Sequence, residues 1–116
     1  MAIKLHGSAL SGCNQRVVTV LREKGVPYEQ ITLDFAKGEH KAPDHLKIHP
    51  FGRMPVLEDD GFFVYESRAI AKYIAQKYAK QGAKLMPDTS DLKAYALFEQ
   101  VRKFIYPNIQ VLLTRF

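Results

Sequence analysis

The stretch PFGRMPVLEDDGFFVYESRAI, residues 50–70, says most about the fold of this chain. Two short apolar segments, PVLED and FFVYE, flank an Asp-Gly dipeptide at 60–61, which is the strongest short signal for a tight β-hairpin. Pro55 stands at the mouth of the first strand, where proline is tolerated although it has no N–H for the ladder. Glu66 and Ser67 follow the second strand directly and mark the change from strand to helix.

The segments on either side of this hairpin alternate between strand and helix patterns. AIKLH at 2–6 and YEQITL at 28–33 predict strands, and residues 15–24 between them have the apolar spacing of a helix. Residues 34–50 predict a polar loop with a short helical turn around Pro43 to Ile48, and 66–79 predict an amphipathic helix. A strand–helix–strand unit makes a parallel pair, to which the hairpin adds antiparallel strands. The sequence therefore predicts an α/β fold, a thioredoxin-like mixed four-stranded sheet with flanking helices.

The order of the elements predicts two domains of unequal size. Residues 1–80 hold the sheet domain, and residues 81–89, which contain a glycine and a proline, have the composition of a linker. Ser90 predicts the cap of a new helix over 90–116, whose apolar stripe continues to the last residue. Because one helix cannot bury such a face alone, we expect this segment to be the first helix of an incomplete, truncated all-helical domain.

Composition argues against several classes of function. The 116 residues are 47% hydrophobic and 25% charged, and the net charge of +5 is spread without a basic run, so we expect no nucleic-acid partner. No apolar run reaches the length of a membrane span and no signal segment is evident, so the expected location is cytoplasmic, without a membrane partner. A single cysteine, Cys13, suits a reducing compartment. The four histidines lack carboxylates at metal spacing, which favours solvated loop histidines and no metal site.

Two features at the strand ends of the hairpin could bind a ligand, and each also has a structural explanation. Ser67 at a helix start offers an amide and a hydroxyl to a carboxylate, with Glu66 beside it for an ammonium, although an ordinary N-cap explains the pair as well. A cis bond before Pro55 would turn the backbone of Met54 outward to pair with an extended peptide, whereas most such bonds are trans. Together these features predict a peptide-like anionic ligand bound over the strand ends.

The loop SALSGCN, residues 8–14, precedes the first predicted helix. Ser11 or Cys13 could therefore place a hydroxyl or a thiol at the positive end of that helix, where thiolates are commonly stabilised. Neither serine of the loop has a glycine two residues away on both sides, so the pattern of a hydrolase nucleophile is absent. The residues favour thiol-centred chemistry and leave open which side chain takes part.

A resemblance to a known family is carried by the stretches GEHKAPDHL, HPFGRMPVLEDDGF and YESRAIAKYIAQKY. In this order and spacing they resemble the N-terminal domain of glutathione transferases, specifically the phi class and its fungal relatives. The resemblance covers residues 2–82, and the segment that follows resembles the opening of the family's all-helical second domain. It implies an enzyme of detoxification, a cytoplasmic homodimer that conjugates glutathione to small electrophiles.

The resemblance also implies roles for individual residues in the first half of the domain. Ser11 stands at the position of the catalytic serine, whose hydroxyl donates a hydrogen bond to the glutathione sulfur and favours the thiolate. His40 and Lys41 would meet the glycyl carboxylate. Arg53 replaces the glutamine usual in the phi motif, and an arginine can still bind a carboxylate.

The resemblance assigns the rest of glutathione, γ-Glu-Cys-Gly, to the strand ends of the hairpin. Met54, before a cis Pro55, would pair with the cysteinyl backbone. Glu66 and Ser67 would hold the γ-glutamyl ammonium and carboxylate. A proline and a polar pair at neighbouring strand ends then have one common explanation.

Two alternatives remain open for this chain. It could be a glutathione-binding module or fragment with little turnover, because the helical domain that walls the electrophile pocket in the family is largely missing; within 90–116, Tyr106 and Phe116 could border such a pocket. Alternatively, Cys13 could act as in cysteine-type thiol transferases, which form a mixed disulfide with glutathione. The thiols of those enzymes align with Ser11 rather than with Cys13.

Overall fold

The structure, a computed structural model, describes residues 3–100 of the 116-residue chain. The chain divides into two compact units, with the boundary between Ala83 and Lys84. The end of the predicted apolar stripe, with Tyr106 and Phe116, lies outside the described residues.

The first unit contains, between residues 3 and 83, the strands and helices that the sequence predicts. The strands are β1 (Ile3–Gly7), β2 (Tyr28–Thr32), β3 (Val56–Asp59) and β4 (Phe62–Tyr65). The helices are α1 (Gly12–Glu23), α2 (Pro43–Ile48) and α3 (Ser67–Lys77), and a 3₁₀ turn at Glu39–Lys41 precedes α2. Helix α1 begins earlier than predicted because its first turn is held by a capping side chain, which apolar periodicity does not reveal.

The four strands form one mixed sheet in the order β2-β1-β3-β4. β1 and β2 are parallel, whereas β3 is antiparallel to both β1 and β4. The hairpin between β3 and β4 turns at Asp60 and Gly61, whose φ angles of 51° and 84° are the left-handed values that a two-residue turn of this kind requires. The predicted thioredoxin-like α/β fold is confirmed.

One apolar cluster joins the sheet to α1 and α3. In β1 the side chains alternate, with Ile3 and Leu5 buried and Lys4 and His6 partly exposed, as expected of a strand with one covered face. Burying each large aliphatic side chain contributes about 1.5–3 kcal/mol. The cluster consists of Ile3, Leu5, Val17, Val18, Leu21, Val26, Leu57, Ile70 and Ile74.

The register of the sheet brings three segments of the chain to one end. His6 near the end of β1 pairs with Val56 at the start of β3, and Val56 pairs with Tyr65 at the end of β4. The loop after β1, Pro55 before β3 and Glu66 after β4 therefore lie at the same end of the sheet. This end holds most of the site residues that the sequence predicts.

In the second unit, residues 92–100 are helical. Asp91, not the predicted Ser90, caps this helix, because its carboxylate accepts the Ala94 N–H at 3.1 Å. Serine and aspartate are comparable caps, so their order in the sequence could not decide between them. Among the helices of residues 3–100, none combines the length and the apolar character that crossing a membrane requires.

Candidate functional site

Ser11 is the N-cap of α1 and is partly buried. Its Oγ accepts the backbone N–H of Asn14 at 3.4 Å. That bond uses a lone pair of the hydroxyl, so the hydroxyl proton remains able to donate to another group. Cys13, expected in the loop, lies instead inside the first turn of α1, with a partly buried free thiol.

Asn14 anchors the first turn of α1 to the sheet. It is fully buried, its amide donates to the Gln30 side chain at 3.0 Å, and Gln30 in turn donates to the Leu5 carbonyl at 2.8 Å. A β-carbon added to Gly7 would lie 2.3 Å from the Asn14 side chain and 3.4 Å from Pro55, so only glycine permits this close approach. Asn14 was not among the predicted site residues, although a polar residue on the apolar face of α1 was a usable signal.

The peptide bond between Met54 and Pro55 is cis, as the resemblance implies. Pro55 is buried and Met54 is partly buried. Within residues 3–100, neither the N–H nor the carbonyl of Met54 has a hydrogen-bond partner. The backbone of Met54 is therefore available to an extended peptide.

Helix α3 begins without a capping side chain. Its N-cap residue is Glu66, with φ 75° and ψ 109°, an unusual conformation for a residue with a side chain and one that is concentrated at functional sites. Ser67 is only 6% exposed, and its Oγ accepts from Nη1 of Arg16 at 2.8 Å. The explanation of Ser67 as an ordinary N-cap is therefore wrong: it is the first helical residue, and its hydroxyl proton can serve another acceptor.

Arg16 was not among the predicted residues. It lies on α1 five positions after Ser11, and its hydrogen bond to Ser67 joins the first turns of α1 and α3. Arg16 lies outside the buried face of α1, which is formed by Asn14, Val17, Val18 and Leu21. An arginine at such a position gives no sequence signal for this contact, because the two residues come together only when the helices pack.

His40 and Lys41, which were expected at the glycyl carboxylate, lie in the 3₁₀ turn. Arg53, which was expected to bind a carboxylate, lies in the loop before β3. The His40 ring stacks on Phe35 with a centroid separation of 4.4 Å, and its Nδ1 is buried without a partner among residues 3–100. The Lys41 ammonium is exposed and donates to the Phe51 carbonyl at 2.9 Å. Arg53 is exposed.

The interpretation of all four histidines as solvated loop residues is wrong. His45, in α2, and His49, which follows the helix, are 4% and 3% exposed. Nε2 of His45 lies 2.6 Å from the Arg53 carbonyl, and the His49 ring stacks on Tyr65 at 4.1 Å. Burial lowers the pKa of His49 below its usual value, the neighbouring His45 lowers it further, and Glu66 opposes both.

Three kinds of binding group thus occur around one end of the sheet: an unpaired backbone edge at Met54, an uncapped helix start at Ser67 and basic side chains near the 3₁₀ turn. Such groups suit an extended, peptide-like ligand with carboxylate ends. Among residues 3–100, no three histidine, cysteine or acidic side chains are grouped as metal ligands.

Comparison with known proteins identifies the family. The family model "Glutathione S-transferase, N-terminal domain" matches residues 1–76. Glutathione S-transferase hmp2 of Hypomyces subiculosus is 52% identical over 100 residues, which are 86% of this chain and 46% of that protein. The chain spans about half the length of the curated relatives it matches.

Solved structures agree with the sequence comparison. Poplar glutathione transferase F1 superposes with a TM-score of 0.79 at 41% identity, over 86% of this chain and 46% of that one. A glutathione S-transferase I bound with lactoylglutathione superposes with a TM-score of 0.64 at 44% identity, over 67% of this chain and 37% of that one. The chain belongs to the glutathione S-transferase family, in its phi class.

Proposed function

We propose that this chain is the glutathione-binding part of a transferase that conjugates the glutathione thiolate to small electrophiles. The observation that carries the proposal is that two groups lie at the same end of the sheet: the Met54 backbone, which has no hydrogen-bond partner among residues 3–100, and the start of α3, which has no capping side chain. The former suits the middle of an extended tripeptide and the latter suits a carboxylate. The structure of a relative with lactoylglutathione, a glutathione conjugate, is consistent with this ligand class.

The γ-glutamyl head is proposed to bind at Glu66 and Ser67. The backbone N–H groups at the start of α3 have no side-chain cap. Since Arg16 donates to the Ser67 oxygen, the hydroxyl proton of Ser67 remains free to donate. Both can donate to a carboxylate, which the helix dipole also favours. The exposed Glu66 carboxylate is the group for the ammonium.

The glycyl carboxylate is proposed to bind among His40, Lys41 and Arg53. The buried Nδ1 of His40 has no partner in the described part of the chain, and a buried nitrogen of this kind is costly unless a ligand satisfies it. Lys41 has two further ammonium protons after donating to the Phe51 carbonyl. Arg53 is exposed and carries a fixed charge.

The hydroxyl of Ser11 is proposed to donate a hydrogen bond to the glutathione sulfur. Lowering the pKa of a thiol by about two from about 8.5 requires about 2.7 kcal/mol of preference for the thiolate. One hydrogen bond to a charged acceptor contributes about 1.5–3 kcal/mol, and a helix N-terminus adds about 0.3–1 kcal/mol. Ser11 can therefore account for the ionisation as a donor, without losing its own proton.

The whole protein is proposed to be a cytoplasmic homodimer that acts in detoxification. The domain limits proposed for this chain are a glutathione-binding domain at 1–80, a linker at 81–89 and the start of an all-helical domain at 90–116. These proposals rest on the family and on the predicted apolar stripe of the last segment.

The test compares Ser11→Ala with Ser8→Ala, a matched control that removes a hydroxyl from the same loop. Ser8 Oγ accepts only the Leu10 N–H, at 3.2 Å, among residues 3–100. Ultraviolet absorbance of the thiolate gives the pKa of bound glutathione, and calorimetry gives its affinity. We expect Ser11→Ala to raise the pKa of the bound thiol by about 1–2, with affinity nearly kept, and Ser8→Ala to leave both unchanged.

Other outcomes would select the alternatives. If the chain binds glutathione but the thiol ionises equally in both variants, the serine mechanism is wrong. Loss of deglutathionylation in Cys13→Ser, with Ser11→Ala unaffected, would establish the cysteine-type enzyme instead. Retention on glutathione resin without conjugation would identify this chain as a binding module, and failure to bind would refute the proposed function altogether.

A further inference from the structure

Two buried histidines have no part in the proposed chemistry: His45 in α2, and His49, the residue that follows this helix. They are 4% and 3% exposed. Buried polar side chains normally have a specific hydrogen-bonding purpose, because burial without partners is costly. The partners of these two rings are found in the loop at 49–54, between α2 and β3.

Three backbone groups of this loop are hydrogen-bonded to His45 or His49. The Phe51 N–H donates to Nδ1 of His49 at 3.3 Å, and the Gly52 N–H donates to the His49 carbonyl at 2.9 Å. The Arg53 carbonyl lies 2.6 Å from Nε2 of His45. Since a carbonyl can only accept, Nε2 of His45 carries the proton and donates it. The loop therefore has a single well-determined path over the two histidines.

The bond from His45 determines where the next N–H points. The Arg53–Met54 peptide is trans, so its carbonyl and its N–H lie in one plane and point in opposite directions. His45 holds the carbonyl toward the buried side of the loop, and the Met54 N–H is thereby directed away from it. Within residues 3–100 that N–H has no acceptor.

We propose that His45 is a positioning residue for glutathione: by holding the Arg53 carbonyl, it presents the Met54 N–H to the cysteinyl carbonyl of the tripeptide. This inference rests on the proposed function, since it needs glutathione to lie along Met54. His45 touches no part of the ligand and acts through one rigid peptide group.

His49 supports the same geometry from the other side. Its ring stacks on Tyr65, the residue before Glu66, at a centroid separation of 4.1 Å. Its Nδ1 accepts the Phe51 N–H, so this nitrogen is unprotonated when the loop is in place. The His49 ring therefore connects the loop to the end of β4. Because the loop carries Met54 and β4 is followed by Glu66, it also connects the proposed binding sites of the cysteinyl and γ-glutamyl residues.

The first measurement needs no variant. In the isotopically labelled 116-residue chain, the Met54 amide resonance should shift on saturation with glutathione and its hydrogen exchange should slow, because a free N–H gains an acceptor. An unchanged Met54 amide at saturating glutathione overturns the inference, even though binding itself would uphold the proposed function. A chain that does not bind glutathione overturns both.

The variants are His45→Phe, which keeps the ring shape and removes the donor, and His45→Gln, whose amide can place an N–H near the position of Nε2. We expect His45→Phe to weaken glutathione binding by about five- to tenfold and to abolish the Met54 amide shift, because one hydrogen bond no longer orients the peptide. His45→Gln should recover most of the affinity and the shift. A merely structural role predicts no such recovery.

Tyr73→Phe is the matched control, because it removes a partly buried side-chain hydrogen bond, 2.5 Å to Asp59, at the opposite end of β3. It should lower the melting temperature and leave glutathione binding unchanged. The inference is refuted if a folded His45→Phe binds as tightly as the wild type, or if His45→Gln is as weak as His45→Phe. Should His45→Phe not fold, His45→Met against His45→Gln gives the same comparison.

Discussion

Replacing Gly52 by alanine should destabilise the chain more than the same change at Gly38. Both glycines have left-handed φ angles, 62° and 70°, so an alanine at either position costs about 1–2 kcal/mol of backbone strain. At Gly38 a β-carbon meets nothing within 4 Å. At Gly52 it would lie 2.7 Å from Lys41 Cδ, 3.0 Å from the His40 carbonyl oxygen and 3.1 Å from Leu46 Cδ2.

The difference between the two variants isolates this crowding. The lysine carbon is the flexible part of an exposed side chain and can move, but the His40 oxygen belongs to the backbone of the 3₁₀ turn. Overpacking of this kind costs about 1–3 kcal/mol, so Gly52→Ala should lose about 2–5 kcal/mol in total and Gly38→Ala about 1–2 kcal/mol. The loss of unfolded-state entropy on replacing glycine is common to both and cancels.

Thermal and urea unfolding, monitored by far-ultraviolet circular dichroism, measure the two free energies. Gly52→Ala should melt at least about 4 °C below Gly38→Ala, since 1 kcal/mol corresponds to about 4–8 °C in a domain of this size. It should also bind glutathione more weakly, because the strained loop carries Arg53 and Met54. Equal melting temperatures for the two variants would refute the close contact between this loop and the turn at His40.

Three further predictions concern groups at or away from the site. The pKa of His49 is lowered by burial and by His45, with Arg53 lowering it slightly and Glu66 opposing, so below about pH 6.5 the unfolded chain binds a proton that the folded chain does not. The free energy of unfolding should therefore decrease as the pH is lowered below about 6.5, and the contribution of His49 should be fully present above that pH. His49→Asn should flatten this dependence of the unfolding free energy on pH, and a dependence as steep as that of the wild type would contradict its assignment to His49. Tyr73→Phe should lower the free energy of unfolding by about 1 kcal/mol in chemical denaturation, because the Asp59 carboxylate loses a hydrogen-bond donor. Hydrogen bonds from Lys77 and then from Tyr73 lower the pKa of Asp59. An unchanged free energy would show that the bond from Lys77 alone stabilises the carboxylate. Lys24→Met should change stability by less than about 1 kcal/mol, whereas Lys24→Ala should cost about 2–4 kcal/mol, because the 2%-exposed stem of this lysine fills core space; equal melting temperatures would contradict that packing role.

The elements of the fold could be predicted because each has a local cause. The Asp-Gly turn, the alternation in β1 and the proline at the start of α2 act within a few residues, and α2 and the hairpin were found where the structure has them. The errors fell at helix starts, at Ser11 and Asp91, where a single side-chain hydrogen bond determines the boundary. Periodicity carries no information about such a bond.

The candidate site was only partly accessible to sequence reasoning. Glu66, Ser67, Met54 and Pro55 lie in one short stretch, so their common location at a strand end could be inferred before the sheet was known. The residues indicated a peptide-like anionic ligand, and its assignment as glutathione came from the resemblance. The hydrogen bonds that support the site, such as Arg16 to Ser67 and Asn14 to Gln30, join residues that are separated in the chain. Asn14 could have been noticed as a polar residue on an apolar helix face, but the sequence does not name the partner of either residue.

The sequence by itself determined where strands, helices and turns form, because propensity, alternation and turn chemistry depend on neighbours along the chain. The tertiary structure alone decided which polar side chains are buried. Lysine is a residue type usually found at the surface, and histidine is intermediate between surface and core residues. Lys24, His45 and His49 are nevertheless at most 4% exposed, and each has a backbone group as a hydrogen-bond partner. Burial depends on which faces of the helices, loops and sheet pack against one another, and this packing is decided only in the complete tertiary structure.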